Sequence, residues 1–361
     1  MVTRRDFLSA GAASLAALQA SDAVPKLQEF RRGGMIYRRL GQTDLHVSVL
    51  SFGSHTDPAD RVPAGRARTV LTEAGQQRRN RIIDAAIDRG VNLLDVYESE
   101  GQWEPASRQL REKRKRMLVS LAHEVRPEEI DQACRMFGGY LDLYRFHTAD
   151  MNGRTLEQWD TLRKAKEAGK IRAIGIATHI ESVMSRSLDE LEGIDYLFIP
   201  YNFIHARADY GAFLPEAVRR GVGLIGMKPL ASGSIMKLDP KARAGAKPEF
   251  EALQLWQTRN RPILPAAVAE LTRSLNRLPD ETLCMAAMRF AYSRPFIATA
   301  IAGMFQQELL EDNYKSLVRY RDYGIGKEQT AALEAARVVA GLLGNQWLPE
   351  QYRWLEEQWR A

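Results

Sequence analysis

The stretch Arg78-Arg79-Asn80-Arg81-Ile82-Ile83-Asp84-Ala85-Ala86-Ile87-Asp88-Arg89 runs straight into Gly90-Val91-Asn92-Leu93-Leu94-Asp95. In the first part the apolar residues recur at helical spacing. The second is a short apolar run closed by a carboxylate, as a buried parallel strand requires. The same unit repeats along the chain. Short apolar runs occur at Val47–Phe52, Asn92–Asp95, Met117–Leu121, Leu141–Phe146, Ile171–Ile176, Asp195–Ile199, Gly223–Met227 and Ile297–Ile301. Helical stretches such as Leu156–Ala168 and Glu281–Ser293 separate them. Eight strands alternating with helices predict a closed (β/α)₈ TIM barrel in the α/β class. An open doubly wound sheet is the alternative, but no glycine-rich phosphate turn follows the first run.

The 361 residues suffice for one barrel of about 250 residues with insertions, so no second domain is needed. The expected barrel spans residues 36–345, after a lead-in at 24–35 and before an aromatic C-terminal helix at 346–361 that carries Trp347, Tyr352, Leu355 and Trp359. Two long loops, Ser54–Gln77 and Lys237–Pro279, are expected over the mouth. The net charge of +6 is dispersed. The densest basic run, Arg111–Arg116, has no interleaved aromatics and reads as the solvated end of a helix, so no nucleic-acid partner is expected. Cys134 and Cys284 are too few for an iron–sulfur site and are compatible with a disulfide or with two buried thiols.

The N-terminus reads Thr3-Arg4-Arg5-Asp6-Phe7-Leu8 followed by small, weakly apolar residues from Ser9 to Ala20. Residues 1–23 therefore resemble a twin-arginine signal peptide, with cleavage after Ala20 or Ala23. An apolar stretch of about 14 residues is too short to span a bilayer, so no stable membrane anchor is expected. The expected location is periplasmic, or otherwise exported by the twin-arginine route.

Several strand-end motifs resemble the aldo-keto reductase family. They are Tyr37-Arg38-Arg39-Leu40-Gly41, Gly90–Asp95, Asp142-Leu143-Tyr144-Arg145-Phe146-His147, Gly169–Gly175, Pro200-Tyr201-Asn202, Met227-Lys228-Pro229-Leu230, and Ile301-Ala302-Gly303 with Glu308–Asn313. They fall in family order over roughly residues 36–320. The resemblance implies a carbonyl reductase using NADP(H), with a tyrosine acid, a lysine that lowers its pKa, a histidine that orients the carbonyl, and an aspartate behind the lysine. Asp95 and His147 match the aspartate and the histidine. For the tyrosine, counting forward from Asp95 gives Glu100, and counting back from the helix around Leu110 gives Tyr97, the nearest phenol. The lysine position falls at Leu121-Ala122-His123, so His123 or Ala122 occupies it, and the imidazole of His123 is the candidate stand-in cation or acid.

The resemblance also places cofactor contacts at Thr178, Met227, Lys228, Gly303, Glu308 and Asn313. Family signatures are absent at Ala177-Thr178 and Phe198, and Gly303 and Leu309 replace the basic residues that grip a 2′-phosphate, so a weak hold on NADP(H) is expected. A second constellation overlaps the first: His55, His123, His147 and His179 follow strands one, three, four and five, with Asp95 and Glu124 near them. A Zn²⁺, Mn²⁺ or Fe²⁺ ion is an alternative occupant, but no tight ligand spacing supports one, and no metal ligand is assigned. The expected activity is an exported oxidoreductase acting on a carbonyl or alcohol, sugar-derived substrates among them. The alternatives are a lyase, isomerase or hydrolase on sugars built from Asp95, Tyr97, His123 and His147, and a non-catalytic barrel whose Trp103, Tyr201 and Phe203 stack on a ligand. The partner expected is a small molecule, and the sequence sets no oligomeric state.

Overall fold

The computed structural model describes residues 27–64, 68–97, 102–202, 213–230 and 278–323. The expected signal segment 1–23, most of the second long insertion, Phe203 and the expected aromatic helix at 346–361 lie outside the described residues. Eight parallel strands close into a barrel in the order β4 (Leu50–Gly53), β7 (Leu93–Tyr97), β8 (Leu118–Ala122), β9 (Leu141–His147), β10 (Ile171–Ala177), β11 (Tyr196–Pro200), β12 (Gly223–Met227) and β13 (Thr299–Gly303). These are the eight expected runs, shifted by a few residues at their ends. Among the described residues no helix is long and apolar enough to cross a membrane.

The run Val47–Phe52 divides in two. β3 (His46–Ser48) pairs antiparallel with β2 (Met35–Arg39), which pairs with β1 (Glu29–Arg32), whereas β4 enters the barrel. The lead-in is thus a hairpin, and with β3 it forms a floor under the N-terminal end of the barrel. Arg38 fastens that floor by donating to the carbonyls of Tyr292 (2.7 Å), Ile297 (2.8 Å) and Arg294 (3.2 Å). Leu40, Leu45 and Val47 of the floor join Leu93, Leu143, Ala173, Tyr196, Phe198, Ile225 and Ile301 in one buried cluster, the barrel interior. A larger cluster lies between the strands and the outer helices.

Those helices are α1 (Glu73–Asp88), α2 (Trp103–Leu110), α3 (Pro127–Met136), α4 (Gly153–Glu167), α5 (Glu181–Glu190), α6 (Phe213–Arg219), α7 (Leu283–Ser293) and α8 (Gln307–Tyr323). Thr72 caps α1 by accepting from the Gly75 amide at 3.0 Å, which leaves Ile82, Ile83, Ala86 and Ile87 to face the strands. At Gly90 the chain turns with φ +89°, and a Cβ there would lie 2.8 Å from that of Met35, so only glycine joins α1 to β7.

The first long loop is not structureless. It holds a small antiparallel pair, β5 (Arg61–Ala64) and β6 (Arg68–Leu71), before α1 begins. The basic run also differs in part from the solvated end that the sequence suggests: Arg114 is largely buried and donates to the carbonyls of Phe137, Met117 and Tyr140 and to Asp142. Asp142 in turn accepts from the Val119 amide and Arg172, tying β8, β9 and β10 together at their starts. Cys134 and Cys284 are buried and are not joined in a disulfide.

Candidate active site at the strand ends

Side chains alternate along a strand, so the residues two apart on β9, Leu143, Arg145 and His147, share the inner face. Leu143 belongs to the interior cluster, and Arg145 sits above it with no exposed surface. A fully buried guanidinium needs a carboxylate, and Asp95 on β7 supplies it. Arg145 donates to both oxygens of Asp95, at 2.6 and 3.0 Å, and to Ser120 Oγ on the intervening β8 at 2.7 Å. Its guanidinium carbon lies 3.6 Å from the centre of the Phe198 ring and 5.1 Å from that of Tyr97. Burial opposes the charge on Arg145, but the Asp95 carboxylate outweighs it and holds the guanidinium firmly protonated.

This arrangement puts a cation beside the end of β8: Ala122, one of the two residues expected at the lysine position, has Arg145 as its cross-strand neighbour. Phe198, where the resemblance implies a glutamine, is the apolar surface on which the guanidinium lies. Sequence reasoning quoted Arg145 only as part of a motif. The signal was present: a charged residue on the inward phase of an otherwise apolar strand, two positions before His147, must find a buried partner.

Tyr97 is the last residue of β7 and stacks against His55, with ring centres 6.2 Å apart. With His123, His147, Thr148, Asp150, Asn152, Arg154 and Gln158 it lines a cavity of about 500 Å³. His147 closes β9 at the opening of that cavity, and its ring lies parallel to that of His179, with centres 5.7 Å apart. His147 keeps exposed surface at the end of β9; partial loss of water around its imidazole, together with the nearby cations Arg145 and Lys228, lowers its pKa to about 4. His147 is therefore neutral at working pH and can donate or accept a hydrogen bond at an uncharged ring nitrogen.

His123 stands just past β8. Its ring meets Trp103 edge-on, with centres 5.2 Å apart, and its Nε2 lies 3.4 Å from Glu129. Desolvation lowers its pKa, against the pull of Glu129 and Glu124. It borders the cavity, but the cation beside Asp95 is Arg145. The histidines lie in separate contacts instead of one shell. Among the described residues no three His, Cys, Asp or Glu side chains converge as a metal site would require. Glu124 pairs with Arg126 at 3.4 Å, away from Asp95. Two aromatics considered for stacking are core residues: Tyr201 is 1% exposed and stacks on Phe290, and Trp103 is 2% exposed.

Lys228 follows β12 with φ +55°, a left-handed conformation that costs a side-chain-bearing residue about 1–2 kcal/mol. Asn202 holds the turn by donating to the Lys228 carbonyl at 3.0 Å. The turn brings the Lys228 amine to 2.9 Å from His179 Nε2, and burial lowers its pKa to about 8.

At the far side of the mouth, Gly303 has open space where a Cβ would stand, and the buried Asn313 Nδ2 has no hydrogen-bond partner. Glu308 opens α8. Leu309 is 1% exposed and packs into the core. Thr178 is fully buried, and its Oγ1 accepts from the Ile180 amide at 3.2 Å. Met227 ends β12 within the interior cluster.

A closed parallel barrel with a phenol, an imidazole and a carboxylate–guanidinium pair at its strand ends is an enzyme framework, with its groups on the face where such barrels work. The chain belongs to the aldo/keto reductase family, whose model matches residues 67–331, and is an oxidoreductase of that type. It is 22% identical to L-galactose dehydrogenase of Arabidopsis thaliana over 321 residues, spanning 82% of this chain and 93% of that protein. It is also 22% identical over 314 residues to a protein of the same plant described as a probable voltage-gated potassium channel subunit beta, covering 78% of this chain and 91% of the relative. Among solved structures, aldo-keto reductase AKR11C1 from Bacillus halodurans in its holo form superposes with a TM-score of 0.64 at 19% identity, over 88% of this chain and 99% of the other. These structural likenesses speak to the fold alone.

Proposed function

We propose that this protein is an exported NADP(H)-dependent reductase or dehydrogenase of small carbonyl and alcohol compounds of the sugar-derived class. The observation that carries the reading is the convergence of Tyr97 and His147 on one cavity, with the Asp95–Arg145 pair directly behind Tyr97. The polar lining supports a polyol substrate, because Thr148, Asp150, Asn152, Arg154 and Gln158 offer donors and acceptors along one wall. The name of the relative that acts on L-galactose agrees with that class.

The residues present fit a dinucleotide in two respects: Asn313 offers an unpartnered buried amide, and Gly303 leaves open space where a side chain would stand. Thr178, Met227 and Lys228 would border the nicotinamide end, and Gly303, Glu308 and Asn313 the adenosine end. When bound, the cofactor supplies or accepts the hydride. The chain's own groups handle the proton and the geometry. Tyr97 donates its hydroxyl proton to the oxygen of a carbonyl being reduced. His147, held neutral, donates a hydrogen bond that orients that oxygen. Arg145 places a positive charge beside the Tyr97 ring and is itself fixed by Asp95 and Ser120.

The test is NADPH consumption with a panel of aldoses and short hydroxyaldehydes, alongside Tyr97→Phe. We expect a fall in kcat of about 10²-fold or more in the variant with an unchanged unfolding midpoint. No turnover by the wild type, with no fluorescence change on NADPH titration, would remove the reading. Export is tested by fractionation, where Arg4→Lys with Arg5→Lys should leave the protein in the cytoplasm.

A further inference from the structure

We propose that Arg79, on α1, holds a chloride ion in a small cavity between the first long loop and α1, apart from the barrel mouth. Arg79 is 5% exposed, yet no carboxylate among the described residues bonds to it. Its Nη1 donates to the His55 carbonyl at 3.3 Å, whereas Nε and Nη2 are buried without a hydrogen-bond partner. Those two nitrogens form one edge of the guanidinium, the edge with which Arg289 grips both oxygens of Glu281. Their N–H bonds run side by side and together suit one anion. A buried charge is stable only where something of opposite sign offsets it.

A second cation adds to the need. Arg61 on β5 donates to the Thr56 hydroxyl at 2.9 Å and to the Thr56 carbonyl at 2.8 Å, and it too has no carboxylate partner among the described residues. Burial, and after it the Arg61 charge, bring the Arg79 pKa down to about 10, so the guanidinium still carries its proton at neutral pH. Folding thus gathers two like charges near Thr56 with no protein carboxylate bonded to either.

The cavity selects the ion. Arg79 lines it with Phe52, Thr56, Asp60, Met304 and Phe305, and its volume of about 10 Å³ takes one particle the size of a water molecule. Sulfate, phosphate and carboxylates need far more room, which leaves a monatomic anion, and chloride is the common one. Asp57 and Asp60 also border the cavity, but each is committed to its own donors. Asp60 accepts from Arg78, and Asp57 accepts from the Ala59 amide and the Gln306 side chain, both at 3.0 Å. The lining shares no described residue with the cavity at Tyr97 and His147, so the ion and the proposed substrate occupy different places. A bound ion ties the first loop to α1 and to the chain leaving β13.

The experiment uses the purified full chain without nucleotide or carbonyl compound, so its outcome is independent of the reductase reading. Starting in sodium gluconate, chloride replaces gluconate at constant ionic strength while the thermal unfolding midpoint is followed. We expect a saturable rise, of about 5 °C at about a hundred times the half-saturating chloride concentration. Arg79→Met should unfold at one midpoint in both salts. In crystals grown with bromide in place of chloride, an anomalous diffraction peak should lie against Arg79 Nε and Nη2. Where the variant does not fold, the bromide position decides alone. A wild-type midpoint that ignores chloride, an equal response in Arg79→Met, or an ordered water at that edge with no anomalous signal would overturn the proposal.

Discussion

Among the described residues there are two buried, doubly bonded carboxylate–guanidinium pairs, and they are chemically alike. In the barrel, Arg145 and Asp95 are both fully buried. Outside it, Arg289 on α7 donates to both oxygens of Glu281 at 2.7 and 2.6 Å, with exposures of 1% and 0%. Each arginine also keeps one nitrogen without a partner, Nε in Arg145 and Nη1 in Arg289. What differs is reach and company. Glu281 and Arg289 are eight residues apart, and Glu281 also accepts from the Leu278 amide, so that pair fastens the start of one helix. Asp95 and Arg145 are fifty residues apart and bridge β7 to β9 across β8, with Tyr97 on the cationic side. The same bond stabilises a fold in one place and, in the other, also places charge beside Tyr97.

The comparison is broken most forcefully by removing one partner. Arg145→Leu and Arg289→Leu should each destabilise the protein by about 3–5 kcal/mol, because each strands a buried carboxylate. Denaturant unfolding measures this directly. A loss of under about 1 kcal/mol at Arg145 would mean that Asp95 can be protonated or hydrated without cost.

Removing both partners separates structure from chemistry. Asp95→Asn with Arg145→Met, and Glu281→Gln with Arg289→Met, should each recover most of the stability lost in the single variants. Their turnover should part company. The barrel pair should lose on the order of 10²-fold in kcat, about 2.7 kcal/mol, while the helix pair stays within twofold of the wild type. Equal losses in both would reduce the Asp95–Arg145 pair to a structural tie. A further sharpening comes from Arg145→Lys, which keeps a charge but not the two-pronged geometry. It should retain more activity than Arg145→Met.

Much of this was legible in the sequence, and the reason it was not all legible is physical. The barrel was readable because period-two and helical apolar patterns repeat eight times, and each repeat reports on burial, the dominant force. Asp95 and His147 stood out because each is a polar residue in the last part of an apolar run, Asp95 two positions before the end of β7 and His147 at the end of β9. Arg145 was not read, although its alternation with Leu143 and His147 marks it as inward. The habit of seeking a lost cation at its own position drew attention to Ala122 and His123, whereas a barrel interior lets a neighbouring strand supply the charge. Lys228 was noted as a cofactor contact, but the contact with His179 depends on a left-handed turn that no local pattern announces. The polar N-terminal lead-in, with its paired glycines, gave no hint that it would pair with β2, which pairs in turn with β3 to make a floor. β3 lies inside a run that looked continuous, and only the break at Val49, whose amide donates to Ile36, divides it.

The smallest effect concerns Lys228, whose amine contacts His179, and it asks whether holding that cation at the mouth costs stability. Unfolded, the Lys228 amine titrates at the ordinary lysine value near 10.4. Folded, burial brings it down to about 8. Between those values the unfolded chain holds a proton that the folded chain has released, so stability contributed by this residue rises with pH across that window. Below about pH 8 both states are protonated, and the cost of holding a buried ammonium is fully present. Lys228→Met removes the charge, so the variant should be more stable than the wild type by about 1–2 kcal/mol at pH 7, after allowance for solvent at a partly open site. The advantage should shrink through pH 8 to 10 and vanish above it. Chemical unfolding of both proteins at pH 7, 8.5 and 10 measures the difference, and comparing the two at each pH cancels the titration of every other group. A variant less stable than the wild type at pH 7 would mean that the amine is held by favourable contacts and not merely enclosed, and would place Lys228 with Arg145 and Arg289 instead of apart from them.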